Sequence, residues 1–247
     1  MDFLADFDGE SMRVCLESTT NSRAMQRMLL DCGRAMGVNL KVDVLDARKL
    51  RVIAESVTKC DKLDAQVINE LSRSNLSLPT CYMPDDEEFA LREHLRARND
   101  LVRMGTMLKN RIHAVLHRRG ILTPARMDLF STAGRAFLAQ LELDDDGRCI
   151  LTQYLYHWDH LATTIKESNT SLRALSRRPR WAKSAALLQT VPGIGLITAL
   201  TILAELGDLS RFHSRAAVAN YAGFLAPYGI EPVAGPGQVV IDVAFAN

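Results

Sequence analysis

One pattern limits what this chain can fold into more than any other. Between residues 148 and 176, Leu151, Tyr154, Trp158, Leu161, Ile165, Ser168, Leu172 and Leu175 recur in alternating steps of three and four. All are apolar but Ser168. A helix with this repeat carries one greasy seam, and another helix must cover it. A second helical stretch over 85–119 has its own stripe: Leu91, Leu95, Leu101, Met104, Leu108, Ile112 and Val115. "RRGILTP" ends it at Gly120 and Pro124. Two long helices with a segment between them predict a coiled-coil region over 85–176, paired as an antiparallel hairpin or between subunits. The seam reads as packing, not as a ligand site.

The residues before it have a different rhythm. "MRVCL", 12–16, reads as a short buried strand ending at Glu17. "TTNS" offers caps for a helix over about 22–36, which stops at Gly33 and Gly37. Val38, Leu40, Val42 and Val44 then alternate along a half-buried strand. A further helix is expected over about 61–73. Strand, helix, strand, helix is the order of an α/β unit with a parallel pair. Beyond the seam, "LLQTVPGIGLITALTILAEL", 187–206, predicts a short helix, a Pro-Gly-Ile-Gly turn and an apolar helix, and another helix is expected over 214–222. The tail from Tyr228 is rich in glycine and proline and shows no helical charge pattern.

Composition narrows the setting. The chain is 247 residues long, 47% hydrophobic and 24% charged, which suits one or two globular domains with a sizeable core. No apolar run of about 18 residues exists, so no membrane span is expected. The acidic start lacks the basic and apolar regions of a signal peptide. Five scattered cysteines, an odd number without metal-ligand spacing, point to a reduced, cytoplasmic setting. The net charge of +1 favours no partner, but its distribution is uneven. Residues 92–119 hold eight Lys or Arg against Glu93 and Asp100. Residues 173–183 add Arg173, Arg177, Arg178, Arg180 and Lys183 with no acid. Such stretches grip a polyanion or simply face water, and charge alone does not decide between the two.

Two constellations could carry chemistry. Asp61 and Asp64 project from one side of a helix, where two carboxylates repel unless a cation or proton sits between them. The plain reading makes Asp61 an N-cap and Asp64 a favourable first-turn charge. Glu17 shifts the balance, because it ends a strand at the edge where α/β sheets place their sites. Were the two strands neighbours, Glu17, Asp61 and Asp64 would form a hard oxygen site for magnesium or manganese. Two such ions about 4 Å apart activate water and stabilise a leaving phosphate oxygen. The second constellation is "VPGIG", 191–195, which reads as a helix-hairpin-helix turn or as a plain helical hairpin. In the first case Gly193, Ile194 and Gly195 bring the backbone close to a phosphate, and the next helix's first N–H groups donate to it. Such contacts position DNA without reading its bases. Arg177, Arg178 and Arg180 just upstream favour DNA.

These residues resemble a known family. "VCLESTTNS", "VIAESVTKCDKLDAQVINEL", "LKNRIHAVLHRRGI" and "LLQTVPGIGLITALTILAELGDLSRFHSRAAVANYAGFLAP" look like the DEDD transposases of the IS-one-ten type of insertion sequence, in order and over about 12–227. The resemblance implies a partial RuvC-like, RNase H-type domain over 1–80, a helical coiled-coil region over 85–176, a C-terminal transposase domain over 182–227, and a divergent tail over 228–247. It implies metal-dependent DNA cleavage and strand transfer with magnesium or manganese. Glu17 matches the family's E-[AS]-[TS] glutamate, and Asp61 and Asp64 match the paired aspartates of K-[TC]-D-K-x-D-A. A serine nucleophile, homo-oligomers and an element-encoded guide RNA are implied as well. The chain departs from the pattern twice. The family's opening "G-I-D-V" aspartate has no match, and Asp2, Asp6 and Asp8 lie in no similar context. No serine follows Ser214, and neither Ser210 nor Ser214 occupies the nucleophile's place. The expectation is a member truncated at both ends and catalytically dead or impaired. The alternative is a non-catalytic DNA-binding or oligomerisation remnant.

Overall fold

The computed structural model describes residues 11–46, 68, 73 and 78–223. The chain divides into two compact units, Met1–Asp85 and Asp86–Asn247, giving an α/β part and an α part. The tail over 228–247 lies outside the described residues, as does the helix expected over 61–73, apart from Ile68 and Arg73, which are helical.

In the first unit, β1 (Ser11–Glu17) and β2 (Asn39–Leu45) form a parallel pair joined through α1 (Ser22–Ala35). Ser11 is level with Asn39 and Glu17 with Leu45. The alternation in β2 survives in space: Leu40, Val42 and Val44 are buried, while Asn39 and Lys41 face water. Asn21 makes no side-chain cap on α1. Ser22 braces the turn instead, taking the Thr19 N–H at 2.6 Å. At the carboxyl end of β2, Leu45 is fully buried, Leu78 lies against it, and Ile68 packs on the same cluster.

The second unit is built on α2 (Asp86–His117) and α4 (Asp145–Leu175). The two run antiparallel within the chain. Leu91 and Leu95 meet Leu172, Arg98 Nε donates to Asn169 Oδ1 at 3.1 Å, and Ile112, Val115 and Leu116 meet Leu151. All eight seam positions of α4 are buried or half-buried. The stripe expected on α2 is corrected at its middle: Met104 is 52% exposed and Leu101 and Leu108 are half-buried, whereas Gly105 is fully enclosed. The cause is Trp158. Its ring lies so close to α2 that a Cβ on Gly105 would stand 2.8 Å from Cζ3. Glycine at the crossing admits the large ring, and the helix turns Met104 outward.

Each end of this pair has its own core. At one end α3 (Thr132–Gln140) and the segment before it bury Leu129 and Leu138 with Ile112, Leu116 and Leu151. At the other, α5 (Pro179–Leu188) and α6 (Leu196–Leu206) bury Trp181, Ala185, Leu200 and Ala204 with Leu91, Leu95 and Leu172. Each buried leucine or isoleucine among them contributes about 1.5–3 kcal/mol. A 3-10 turn (Leu209–Arg211) and α7 (Arg215–Tyr221) follow. Among the described residues, no helix is long and apolar enough to cross a membrane.

Candidate functional site

The two ends of α6 are treated differently. Its last carbonyls are covered. Arg92 Nε donates to the Ala204 carbonyl at 2.7 Å and Arg92 Nη2 to that of Glu205 at 3.3 Å. Arg211 Nε donates to the Leu206 carbonyl at 3.2 Å, and the Tyr221 hydroxyl to that of Glu205 at 3.3 Å. Two guanidinium groups therefore sit where the helix dipole is negative. The Arg211 guanidinium also stacks on Phe212 and Tyr221, 4.2 and 4.4 Å from the ring centres.

The amino end is open. Gly195 is the N-cap, in extended backbone at φ −83° and ψ 175°, and supplies no side-chain acceptor to the first turn. The Ile194 N–H closes the turn onto the Val191 carbonyl at 3.1 Å. Gly193 holds φ +90°, which a side chain would strain, so the turn depends on a glycine there. Among the described residues, a Cβ on Gly193 or Gly195 would meet no atom within 4 Å. Among the described residues the space beside both glycines is thus open at the positive end of the dipole, the arrangement that holds anions.

The expected arginine trio splits. Arg177 and Arg178 are exposed at the start of α5, and Arg178 is its N-cap. Arg180 is committed to the fold. It lies 2.7 Å from Glu88 and 3.3 Å from Glu87, and its guanidinium stacks on Trp181 at 4.7 Å. Glu88 is only 1% exposed, so Arg180 compensates a buried carboxylate. Sequence reasoning missed Glu88, Arg92 and Arg211, because a charge on a helix reads as solvated until its neighbours are known. Ser210 and Ser214 have local roles. Ser210 donates to Asp208 Oδ2 at 2.8 Å, and the Ser210 side chain and backbone together hold that carboxyl below its ordinary range. Ser214 caps α7 by accepting the Ala217 N–H at 3.1 Å.

In the first unit, Glu17 is the last residue of β1 and its side chain is exposed. Its cross-strand neighbour is Leu45, whose carbonyl accepts the Ser18 N–H at 2.9 Å. Ile68 packs against that leucine. Asp61 and Asp64 lie outside the described residues. Among the described residues, no three of His, Cys, Asp and Glu gather into a metal cluster. One of the three expected ligands is therefore placed.

Two family models match the chain. A DEDD model described as a transposase covers residues 2–119, and one described as the transposase IS116/IS110/IS902 family covers residues 185–229, which enclose the glycine turn and α6. The chain belongs to the IS110 family of transposases. It is 24% identical over 196 residues to the transposase for insertion sequence element IS1111A of Coxiella burnetii, covering 77% of this chain and 51% of that protein. It is 28% identical over 196 residues to the transposase for IS1328 of Yersinia enterocolitica, covering 79% and 55%. A putative transposase, y4qE, of Sinorhizobium fredii is 24% identical over 170 residues, covering 68% and 39%. The chain spans about half the length of the first two of these relatives of the family and less of the third.

Proposed function

We propose that this chain binds DNA for insertion-sequence transposition, with the turn at 191–195 acting as a helix-hairpin-helix phosphate grip. The observation that carries this reading is the asymmetry of α6: its carboxyl end is covered by Arg92 and Arg211, and its amino end opens through Gly193 and Gly195. The dipole is anchored at one end and offered at the other. Gly193, Ile194 and Gly195 would contact the backbone of the nucleic acid, with Arg177 and Arg178 supplying attraction. Arg180 serves the fold. The long helix pair is proposed as the coiled-coil region, and further copies of the chain and an element-encoded guide RNA are proposed as partners on family grounds.

The same reading assigns a divalent-ion site, magnesium or manganese, to Glu17, Asp61 and Asp64 in a RuvC-like domain. The donor set fits hard cations, being carboxylate oxygens alone. Glu17 stands at the carboxyl end of β1, and Ile68 packs beside its cross-strand neighbour Leu45. Asp61 and Asp64, three positions apart in the sequence, are the other two proposed ligands. Bound there, the ion would activate water and stabilise a leaving phosphate oxygen. The chain's own contribution is to hold the three carboxylates and to position the strand. No serine follows Ser214 in this sequence, so no strand-transfer nucleophile is assigned to these residues.

Gly195→Asp tests the grip. The extended backbone and open space accept the side chain, and aspartate is a better N-cap than glycine. The melting temperature should hold or rise. Duplex DNA affinity should fall about fivefold to tenfold, because the new charge takes the phosphate's place. Unchanged affinity in the folded variant refutes the reading. For the ion, magnesium should raise the melting temperature, and the double variant Asp61→Asn with Asp64→Asn should abolish the rise. A rise that persists in the double variant removes the metal assignment.

A further inference from the structure

We propose that the groove between α2 and α6 is a pocket for one unpaired nucleobase of the DNA strand held at the amino end of α6. The proposal rests on the reading of α6 as a phosphate site and names what lies beside it. Leu95, Arg98 and Asn99 of α2 line one side of the groove, and Ile197 and Thr198 of α6 line the other. Ile197 and Thr198 lie in the first turn of α6. A base hangs one sugar away from its phosphate, so a phosphate held at that turn brings its own base to the groove. The space measures about 200 Å³. That is smaller than the roughly 300 Å³ at which sites for whole drug-sized ligands begin, so the occupant is one small group.

The lining has what a base needs. Leu95 is buried and Ile197 half-buried, and together they give apolar surface to the face of a ring. Arg98 is half-buried, and its Nε donates to Asn169 Oδ1 at 3.1 Å, which holds the flat guanidinium in place as a stacking partner. Asn99 and Thr198 are half-buried polar residues, and among the described residues their side chains make no hydrogen bond. An amide offers donors and an acceptor side by side, the match for the edge of a base, and a hydroxyl serves in either sense. Toward the carboxyl end of α6, Glu205 also lines the groove and lies 3.8 Å from Arg96. An acid matched by a base there suits a neutral ring better than a second phosphate. A base stacked and paired within a duplex cannot enter, so the pocket selects nucleotides that are unpaired or turned out of the stack. Cutting and rejoining DNA strands supplies such nucleotides.

The test compares two DNA duplexes bound by the full chain, measured by fluorescence anisotropy. Both carry one unpaired nucleotide at the same position, and in one of them that nucleotide is abasic. The flexible backbone is common to the two, so their difference reports the base alone. The base-bearing duplex should bind about tenfold more tightly. Equal affinities overturn the pocket and leave the α6 grip standing. The double variant Asn99→Leu with Thr198→Val keeps the side-chain volumes close to their own and removes the polar groups, so circular dichroism should not change. It should bring the ratio of the two affinities close to one, and a ratio that survives in the folded variant removes the base from this groove. Gly195→Asp should weaken binding to both duplexes. A base preference present in the parent with no weakening in Gly195→Asp upholds the groove and removes the grip. The same pair built as RNA forms a further arm, and a preference seen only with RNA overturns the assignment to DNA.

Discussion

The two ends of the α2–α4 pair differ in how deeply their polar ties are buried. At the α6 end two ties are interior. Arg92 is buried and covers two carbonyls of α6, and Arg180 meets the buried Glu88. At the α3 end the ion pairs lie at the surface, and half-buried Arg148 donates to the Leu138 and Leu141 carbonyls. Arg119 pairs with Asp144, Arg135 with Asp159, and both carboxylates are more than half exposed. A buried tie removed from one side leaves polar groups stranded away from water, whereas water and salt replace a surface tie cheaply. The proposed DNA grip lies at the interior-tied end. An open helix terminus positions a phosphate well only if the helix itself cannot shift, so rigid anchoring and an open amino end belong together.

The largest expected effect follows at that end. Arg92→Met keeps much of the side chain's length and removes its donors, leaving the Ala204 and Glu205 carbonyls without them. Hydrogen bonds from a charged group contribute about 1.5–3 kcal/mol each, and relaxation returns part of that, so a loss of about 2–4 kcal/mol is expected. Urea unfolding reads it as a lower midpoint with an unchanged slope. Hydrogen exchange should locate the weakening in α5 and α6 and leave α3 protected. A loss under about 0.5 kcal/mol, typical of a surface site, would erase the distinction between the two ends.

The same contrast marks what could be read from the residues alone. Both strands, their parallel pairing, the two long helices and the hairpin around the glycine turn follow from periodicity and from Gly and Pro positions, because those signals are local. The crossing at Gly105 was not legible. An apolar count favours Met104 over a neighbouring glycine, and only the ring of Trp158 on the facing helix reverses that order. Glu88, Arg92 and Arg180 were illegible for a related reason: their partners lie 92 to 113 positions away. The basic run over 173–183 was correctly seen as uneven charge, but sequence spacing does not tell Arg180, which serves Glu88, from Arg177 and Arg178, which face water. Of the three acids proposed to hold a metal, Glu17 alone lies among the described residues, at the strand end where the alternation of the sequence puts it.

The smallest expected effect belongs to the surface-tied end, and pH isolates it. Asp144 accepts from Arg119 and, as N-cap of α4, from the Gly147 N–H at 3.2 Å. The Arg119 hydrogen bonds, more than the cap, hold its carboxyl at about 2, below the ordinary 3.8. A carboxyl that is more acidic in the folded chain than in the unfolded one takes up its proton preferentially on unfolding. Its stabilisation is therefore complete above about pH 5 and fades as pH falls toward about 2. Asp144→Asn retains a capping oxygen and removes only the charge. At neutral pH it should lower the melting temperature slightly. The difference from the parent should shrink as the solution is acidified and vanish near the folded-state value, while Arg119 stays charged throughout. Salt at about 1 M, where screening acts over about 3 Å, should shrink it at neutral pH too. A difference that keeps its size in acid and in salt would mean that the Arg119–Asp144 tie behaves as an interior one, and the two ends of the helix pair would then be alike.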